Sequence, residues 1–514
     1  MAKKSLQLPL DQKENLRRNG LYNTISNWID TITKMVTEFV TRPWLIILLG
    51  NTDFGSWQIL NQLNGYMAAV DLQSGTSLKY YISKYRNTNK PSELRKVITS
   101  AVLSNLIFLP IYLCVGFVIV YLAPLLIKSQ TSDFYFIRKT TLLLVFAFIF
   151  QQYSFILHSI IVGMNISYKC MGIRSVIVIA SGFGLVFSCK AGYSLPGMAC
   201  VIIITAAVNA VVYLYVIKKN IPWFGFGKTD LKNVTKFLKL TGKYMLLKFV
   251  DLLNGSTDLI IIGYTKDTAT VTAYSVTRYV LLGVNQLCNS FMNGVTPGLS
   301  KILGSNDYIK FNNGRSLVQN IIFLAITFVG SYVLLFNKAF VTHWTSEKLF
   351  IGELETLLLV LLFIFKQVGG VDAAVISMSM KIEQKIKYSF YNGIFTIALS
   401  IPLINFFGLK GLISCFILNA LIAICYYLKL SLKITNKNIN QQRISYFKKL
   451  AIVTLLLISF YLLKPIIDKG SISNLAIKGV LPFLGLVSVA FFAFHRNEKI
   501  QLINHLNKLL RKSN

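Results

Sequence analysis

The sequence predicts an all-α polytopic membrane protein of about 14 transmembrane helices, with two pseudo-symmetric six-helix lobes followed by two C-terminal helices. Three observations lead there. Over 514 residues, 54% are hydrophobic and only 14% charged, which suits a multi-span membrane chain and not a soluble enzyme. Apolar stretches near the ~20 residues that a bilayer requires recur along the whole length. Lys and Arg are segregated into alternate connections, as the positive-inside rule demands.

In order, the predicted spans are 21–43, 54–79, 97–124, 138–163, 172–190, 195–217, 243–264, 270–298, 317–338, 355–379, 387–407, 411–431, 447–466 and 474–495. The first is the weakest by hydropathy because it carries a polar stripe, which an internal position in a bundle would explain. With the N-terminus in the cytoplasm, 37 of the 53 Lys and Arg fall on the inner side. Residues 1–20, 79–96, 217–243, 429–449 and 496–514 carry five to seven each. This distribution accounts for the net charge of +33 without nucleic acid. The first residues, MAKKSLQLPLDQKENLRR, are polar and basic and do not read as a cleavable signal.

The predicted organisation is therefore an N-terminal lobe over 1–217 with a cytoplasmic N-terminus, a cytoplasmic amphipathic linker over 218–242, a C-terminal lobe over 243–434, and the last two helices with a cytoplasmic tail over 435–514. In the linker, Leu231, Val234, Phe237 and Leu238 stand among lysines, which reads as an interfacial helix. The tail places Leu502, Ile503, Leu506, Leu509 and Leu510 on one face and reads likewise. The outer connections are short, and no soluble domain fits anywhere.

The stretch Lys248–Asn293 reads as a hairpin of two membrane helices turning near Tyr264–Val271. Its first helix carries Lys248, Asp251 and Asp258 at apolar depth. On its second, Arg278, Asn285, Gln286, Asn289 and Asn293 share an arc of roughly 100°. A similar hairpin lies about 210 residues earlier. There Asn23, Asn27, Asp30, Lys34 and Glu38 share about 80°, and Asn61, Gln62, Asn64 and Asp71 follow on the next helix. The turns Leu45–Trp57 and Leu259–Val271 also correspond, each with an apolar helix end, a Gly and a polar turn. Two homologous halves lining a common cavity are the expectation.

Ionisable groups are costly in a bilayer and face a bundle interior or a wet cavity. The cations Arg278, Lys34, Lys248, Lys366 and Arg42, with Asn285 and Asn289, are the candidate substrate-binding residues. Several cations at bilayer depth suit an anionic substrate such as a phosphate or pyrophosphate, and Arg grips phosphate oxygens bidentately. Set against that role, Arg278 can form a structural salt bridge, Lys34 can pair with Asp30 or Glu38 at four-residue spacing, and Lys248 can pair with Asp251. The acids Asp30, Glu38, Asp71, Asp251, Asp258 and Asp372 are candidates for ion coupling, or else neutralise nearby cations. For Asp258, ahead of an apolar run, a structural or capping role weighs more. Gly369 and Gly370, in KQVGGVD, mark either a hinge or close helix packing.

His158 stands alone in the fourth span and reads as a hydrogen-bonded core residue. The seven Cys have neither metal nor disulfide spacing and read as small hydrophobes. No zinc-protease, nucleophile-elbow, Walker-A or paired CxxC pattern is present, so no cofactor, metal site or catalytic residue is expected.

Phe54–Tyr85 (FGSWQILNQLNGYMAAVDLQSGTSLKYYISKY) resembles the second helix and basic loop of bacterial polysaccharide flippases, with Asp71, Leu72, Gly75 and Leu78 on their motif and Gln73 departing from it. Asp258–Val280 resembles their mid-chain signature through Asp258, Tyr274 and Arg278, with Thr272 where Gly is common. The resemblance covers nearly the whole chain and implies the multidrug/oligosaccharidyl-lipid/polysaccharide transporter superfamily. It implies that a polyprenyl-pyrophosphate-linked oligosaccharide moves from the cytoplasmic to the outer leaflet by alternating access of two lobes. It further implies a bacterial inner-membrane location, a lipid-linked oligosaccharide and membrane lipids as partners, and a polymerase or ligase of the same pathway. Two other readings compete. An ion-coupled drug exporter would have a more acidic cavity. A membrane polymerase or ligase would need a longer outer-face region. A purely structural scaffold would have little use for so many buried charges.

Overall fold

The computed structural model describes residues 10–71, 73–85, 91–127, 134–255, 257–379, 382–435, 439–468, 480–485 and 487–489. Among them there is no strand, and the elements are helices joined by short turns. Seven of the described helices are long and apolar enough to cross a bilayer by length and composition alone. The expected amphipathic tail, and most of the last predicted span, lie outside the described residues.

The chain divides into two compact units, Met1–Val271 and Thr272–Asn514. In the first, α1 (Leu10–Tyr66) runs for 57 residues. A straight helix of that length would reach ~85 Å against a ~30 Å hydrocarbon core. Its backbone breaks instead at Gly50, whose φ of 75° and ψ of 171° lie where L side chains are rarely found. Arg42 and Phe54, on opposite sides of the break, meet with the guanidinium 5.9 Å from the ring centre. The first two predicted spans are thus one hairpin. The second is completed by a tight turn at Met67–Ala69 and by α2 (Ser74–Tyr85).

Next come α3 (Pro91–Leu126), α4 (Phe134–Gly163), α5 (Met171–Lys190) and α6 (Ser194–Asn220), in agreement with predicted spans three to six. The α5–α6 turn shows how the sequence ends a helix. Gly192 takes φ 83°, and the N–H groups of Gly192 and Tyr193 donate to the carbonyls of Cys189 and Ser188, closing a Schellman motif. The first helix is tied to the α4–α5 turn by Asn23, which bonds the Asn165 side chain and accepts the Tyr168 N–H at 2.9 Å.

The stretch 218–242 divides between three elements. α6 ends at Asn220, an extended segment follows, and α7 (Leu231–Gly255) begins, with α8 (Asp258–Thr265) after it. The extended segment is fixed to α3: Arg95 donates to the Trp223 carbonyl at 2.7 Å, and Thr99 accepts the Gly227 N–H at 2.9 Å. Val234 and Phe237 are buried, and Phe237 stacks on Tyr81 of α2. Phe237 joins a core built from Leu78, Ile98, Ile160, Tyr213 and Ile217.

The second unit follows α9 (Thr268–Thr277), within which the division falls. It contains α10 (Tyr279–Gly304), α11 (Tyr308–Trp344), α12 (Glu353–Met378), α13 (Ile382–Ile434) and α14 (Ile439–Asp468). Like α1, α13 is two spans in one run, broken at Gly408 with φ 63°. Its halves pack antiparallel: Asn419 bonds Asn392 and Thr396, and Tyr426 stacks on Tyr388 with centroids 4.0 Å apart. Residues 480–485 and 487–489, in the last predicted span, are helical. Large apolar side chains such as Phe187 and Phe406 are mostly exposed, as a bilayer that serves as solvent allows. All seven Cys are free.

Candidate functional site

On α1, Asp30, Lys34, Glu38 and Arg42 recur every four residues and therefore share one face. That face borders a cavity inside the first unit, walled by α1, α4, α5 and α6. The cavity has two adjoining chambers of about 550 and 370 Å³ that share Lys34, Glu38, Asn61, Thr205 and Asn209. Arg42 lines the smaller chamber, with Phe54, Trp57 and Gln58. His158 and Arg174 line the larger, with Gln151, Ser154 and Tyr213. Among these lining residues, the cations Lys34, Arg42 and Arg174 outnumber the one carboxylate, Glu38, and Asp30, paired with Arg174, offsets part of that excess.

The charges are paired unequally. Lys34 and Glu38 stand 3.8 Å apart on the same helix and remain substantially exposed. Such a pair contributes little and can open readily. Asp30 is buried and pairs with Arg174 at 3.1 Å, and Ser175 approaches it at 3.5 Å. Arg174 also lies 3.3 Å from His158, whose ring packs against Tyr213 at 5.2 Å. His158 thus has a hydrogen-bond partner, as expected, but it is half-buried at the cavity wall and not sealed in the core. Of the two partners open to Lys34, the structure selects Glu38.

The other candidates in the first unit form a second polar group. Asp71 accepts the Gln73 backbone N–H at 3.1 Å and its side-chain amide at 2.7 Å. Gln152 donates to both Asp71 oxygens at 3.2 Å. Lys248 is near enough for its charge to act on Asp71, so a residue of each predicted hairpin meets here. Asp258 opens α8, accepts the Leu259 N–H at 2.9 Å, and receives Gln62 at 3.4 Å. A carboxylate in a first helical turn is favourable there, which fits the structural role. Asp251 is exposed on α7.

In the second unit, Asn285 joins Asn289 at 3.2 Å and Gln367 of α12. Arg278 lies between α9 and α10 with its guanidinium 4.7 Å from the Tyr274 ring centre. Lys366 lies 5.5 Å from the ring centre of Phe416. Asp372 is fully buried and paired with Arg315 of α11. The helix carrying Gly369 and Gly370 is continuous. A Cβ on Gly369 would meet Ile424 at 3.2 Å, while Gly370 faces open space. Close packing accounts for Gly369.

Arg174, which lines the cavity, and Arg315, which pairs with buried Asp372, are the charged side chains that sequence reasoning missed. Both lie at the edge of basic loops, and charge counting cannot tell a loop Arg from one that turns back into the bundle. A polar partner buried at matching depth, Asp30 or Asp372, was the available signal. Among the described residues, no three His, Cys, Asp or Glu side chains gather as a metal would need.

A family model described as "Polysaccharide biosynthesis protein" matches residues 17–303. No curated protein matches the chain significantly. Among solved structures, the lipid II flippase MurJ in an inward closed conformation is similar, with 15% identity, 91% of this chain and 98% of that chain covered, and a TM-score of 0.63. The multidrug transporter DinF-BH has 15% identity, coverage of 85% and 100%, and a TM-score of 0.62. A MOP-superfamily transporter from Pyrococcus furiosus has 13% identity, coverage of 82% and 97%, and a TM-score of 0.57. At these identities the likeness is one of fold.

Proposed function

The chain belongs to the polysaccharide biosynthesis protein family, matched over residues 17–303, and from that premise we propose that it flips a polyprenyl-pyrophosphate-linked oligosaccharide from the cytoplasmic to the outer leaflet. The observation that carries this reading is the lining of the first unit's cavity, in which the cations Lys34, Arg42 and Arg174 outnumber Glu38, with Asp30 behind Arg174. An anionic head group entering it trades its hydration shell for fixed cations and the amides of Asn61 and Asn209. The cavity supports a diphosphate-bearing cargo over a cationic drug, which would favour acidic walls.

In this reading the sugar–diphosphate head group crosses inside the bundle while the polyprenyl tail stays in lipid. The lobes expected from the sequence, residues 1–217 and 243–434, alternate access to either side. Both termini lie in the cytoplasm of a bacterium, the inner membrane holds the chain, and a polymerase or ligase takes up the product outside. The step is transport, with no bond made or broken.

The test is the leaflet location of lipid-linked glycan in cells with and without the protein. Inverted and right-side-out vesicles are probed with an impermeant glycosidase. Loss of the protein should strand intact glycan on the cytoplasmic leaflet. Glycan that still reaches the outer leaflet, in a strain without a second flippase, overturns the proposal.

A further inference from the structure

We propose that the segment joining α6 to α7 is a binding site for anionic phospholipid, with Phe226 in the boundary between acyl chains and headgroups and Lys218, Lys219 and Lys228 on the acidic headgroups. The site needs only a chain that crosses a bilayer and is independent of the flippase reading.

The segment is held rigidly against α3. Arg95 donates to the Trp223 carbonyl at 2.7 Å, Thr99 accepts the Gly227 N–H at 2.9 Å, and the Ser100 and Thr229 hydroxyls meet at 3.0 Å. Gly227 approaches so closely that a Cβ on it would stand 3.0 Å from Cβ of Arg95 and 3.2 Å from the Lys96 nitrogen. Trp223 and Phe224 pack on the apolar core of the first unit. Phe226, between Gly225 and Gly227, is instead 67% exposed. Backbone bonds on both sides of it leave this ring no route into the core. An apolar ring displayed on a fixed segment is favourable where something apolar covers it.

The place of the segment supplies that cover. The 27 residues of α6 span about 40 Å against a hydrocarbon core of about 30 Å, so its last turn stands among headgroups. That turn carries Lys218 and Lys219, both exposed. One turn earlier, Tyr215 is 60% exposed, and the Lys219 ammonium lies 5.8 Å from its ring centre. An outward aromatic ring topped by a lysine is the pattern of a membrane interface.

Charge then selects the lipid. Lys218, Lys219 and Lys228 are exposed on this stretch against one exposed carboxylate, Asp230. Exposed Lys169, from the α4–α5 turn, joins them by donating to Asn220 at the end of α6. Arg95 adds a further cation, while Lys96 is paired with Glu93 and adds no excess. Three separate connections thus gather positive charge at one end of the first unit. Clustered lysines at a bilayer surface attract acidic lipid, each contributing comparably. Lysines act as point charges on flexible stems, so the site takes acidic phospholipids as a class rather than one headgroup.

The test uses the purified full-length chain in nanodiscs of phosphatidylcholine with increasing phosphatidylglycerol. The thermal midpoint of wild type should rise with phosphatidylglycerol, and high salt should shrink the rise. Lys228→Gln should demand about fivefold more phosphatidylglycerol for the same rise, the effect of about one surface charge. The triple variant Lys218→Gln/Lys219→Gln/Lys228→Gln should abolish the rise. A charge-matched control, Lys139→Gln/Lys190→Gln/Lys266→Gln, removes exposed lysines expected on the opposite side and should respond as wild type. Phe226→Ser should lose most of the rise, and Phe226→Trp should keep it.

A triple variant that keeps the wild-type rise overturns the proposal, and so does a control that loses it equally. Inorganic phosphate raising the midpoint in pure phosphatidylcholine as far as phosphatidylglycerol does would make the ligand a free anion. Phe226→Ser that alters the oligomeric mass and leaves the lipid response intact would give the ring to a second copy of the chain. Either result removes the lipid site. Should the triple variant fail to fold, the single Lys228→Gln comparison decides. Glycan location enters none of these measurements, so the lipid site and the flippase reading stand or fall separately.

Discussion

Arg315 and Asp372 form an ion pair buried between α11 and α12, and Ser431 of α13 donates to the same Asp372 oxygen at 2.7 Å. One carboxylate therefore ties three helices of the second unit together. Breaking such a pair leaves one charge buried without compensation, which typically costs about 3–5 kcal/mol. Arg315→Met should accordingly lower the thermal midpoint in detergent strongly. The charge-free double variant Arg315→Met/Asp372→Leu should recover most of the loss. An unchanged midpoint in the single variant would show that the pair is not holding the helices.

Gly75, part of the motif that resembles the flippase signature, sits where α2 meets α4. A Cβ there would lie 2.5 Å from the Phe155 ring and also meet Ser159. The motif Gly is thus explained by helix contact. Overpacking of this kind costs about 1–3 kcal/mol, more for a branched side chain. Gly75→Val should reduce the amount of folded protein in the membrane well below Gly75→Ala. Equal yields of the two variants and wild type would contradict the tight contact.

The two glycines of α12 should behave differently. Gly370 faces open space on a continuous helix, so Gly370→Ala should be neutral or stabilise by about 0.5–1 kcal/mol. Gly369→Val should destabilise through Ile424. Were Gly370 a hinge, Gly370→Ala would slow transport without lowering the thermal midpoint, and that pair of measurements decides between the alternatives.

Lys464 is buried in α14, donating to Glu353 at 2.6 Å and to the Leu334 carbonyl at 2.9 Å. It anchors the thirteenth span to α11 and α12. Lys464→Met leaves an acceptor and a carboxylate without their donor, a loss of about 1–3 kcal/mol. Limited proteolysis should then cut near the ends of α14 sooner than in wild type. Unaltered cleavage would remove the anchoring role.

Arg278 lies against Tyr274 at the junction of α9 and α10. If it touches cargo, Arg278→Ala impairs glycan flipping while leaving membrane insertion intact, and Arg278→Lys restores part of the activity. Normal flipping by a well-expressed Arg278→Ala protein would withdraw the residue from the substrate path.

Much of the architecture was legible because a bilayer permits few solutions. Backbone groups with no water must be satisfied within helices, so apolar length fixes where spans lie. The helices from α3 to α6 follow the predicted spans closely, and the hairpin turn near Tyr264–Val271 falls where α8 gives way to α9. The charged face of α1 was also legible, since Asp30, Lys34, Glu38 and Arg42 keep a four-residue period.

The sequence by itself determined the fold class, spans three to six and which helices are polar, because these depend on local hydropathy and period. Tertiary structure alone decided who pairs with whom. Asp30 passes over Lys34, its neighbour by one turn, for Arg174 of α5, and Asp372 finds Arg315. Val234 and Phe237, amphipathic by pattern, turn into the core rather than onto a membrane surface. A buried charge selects its partner by distance and desolvation in three dimensions, and helical period constrains only the direction in which it looks.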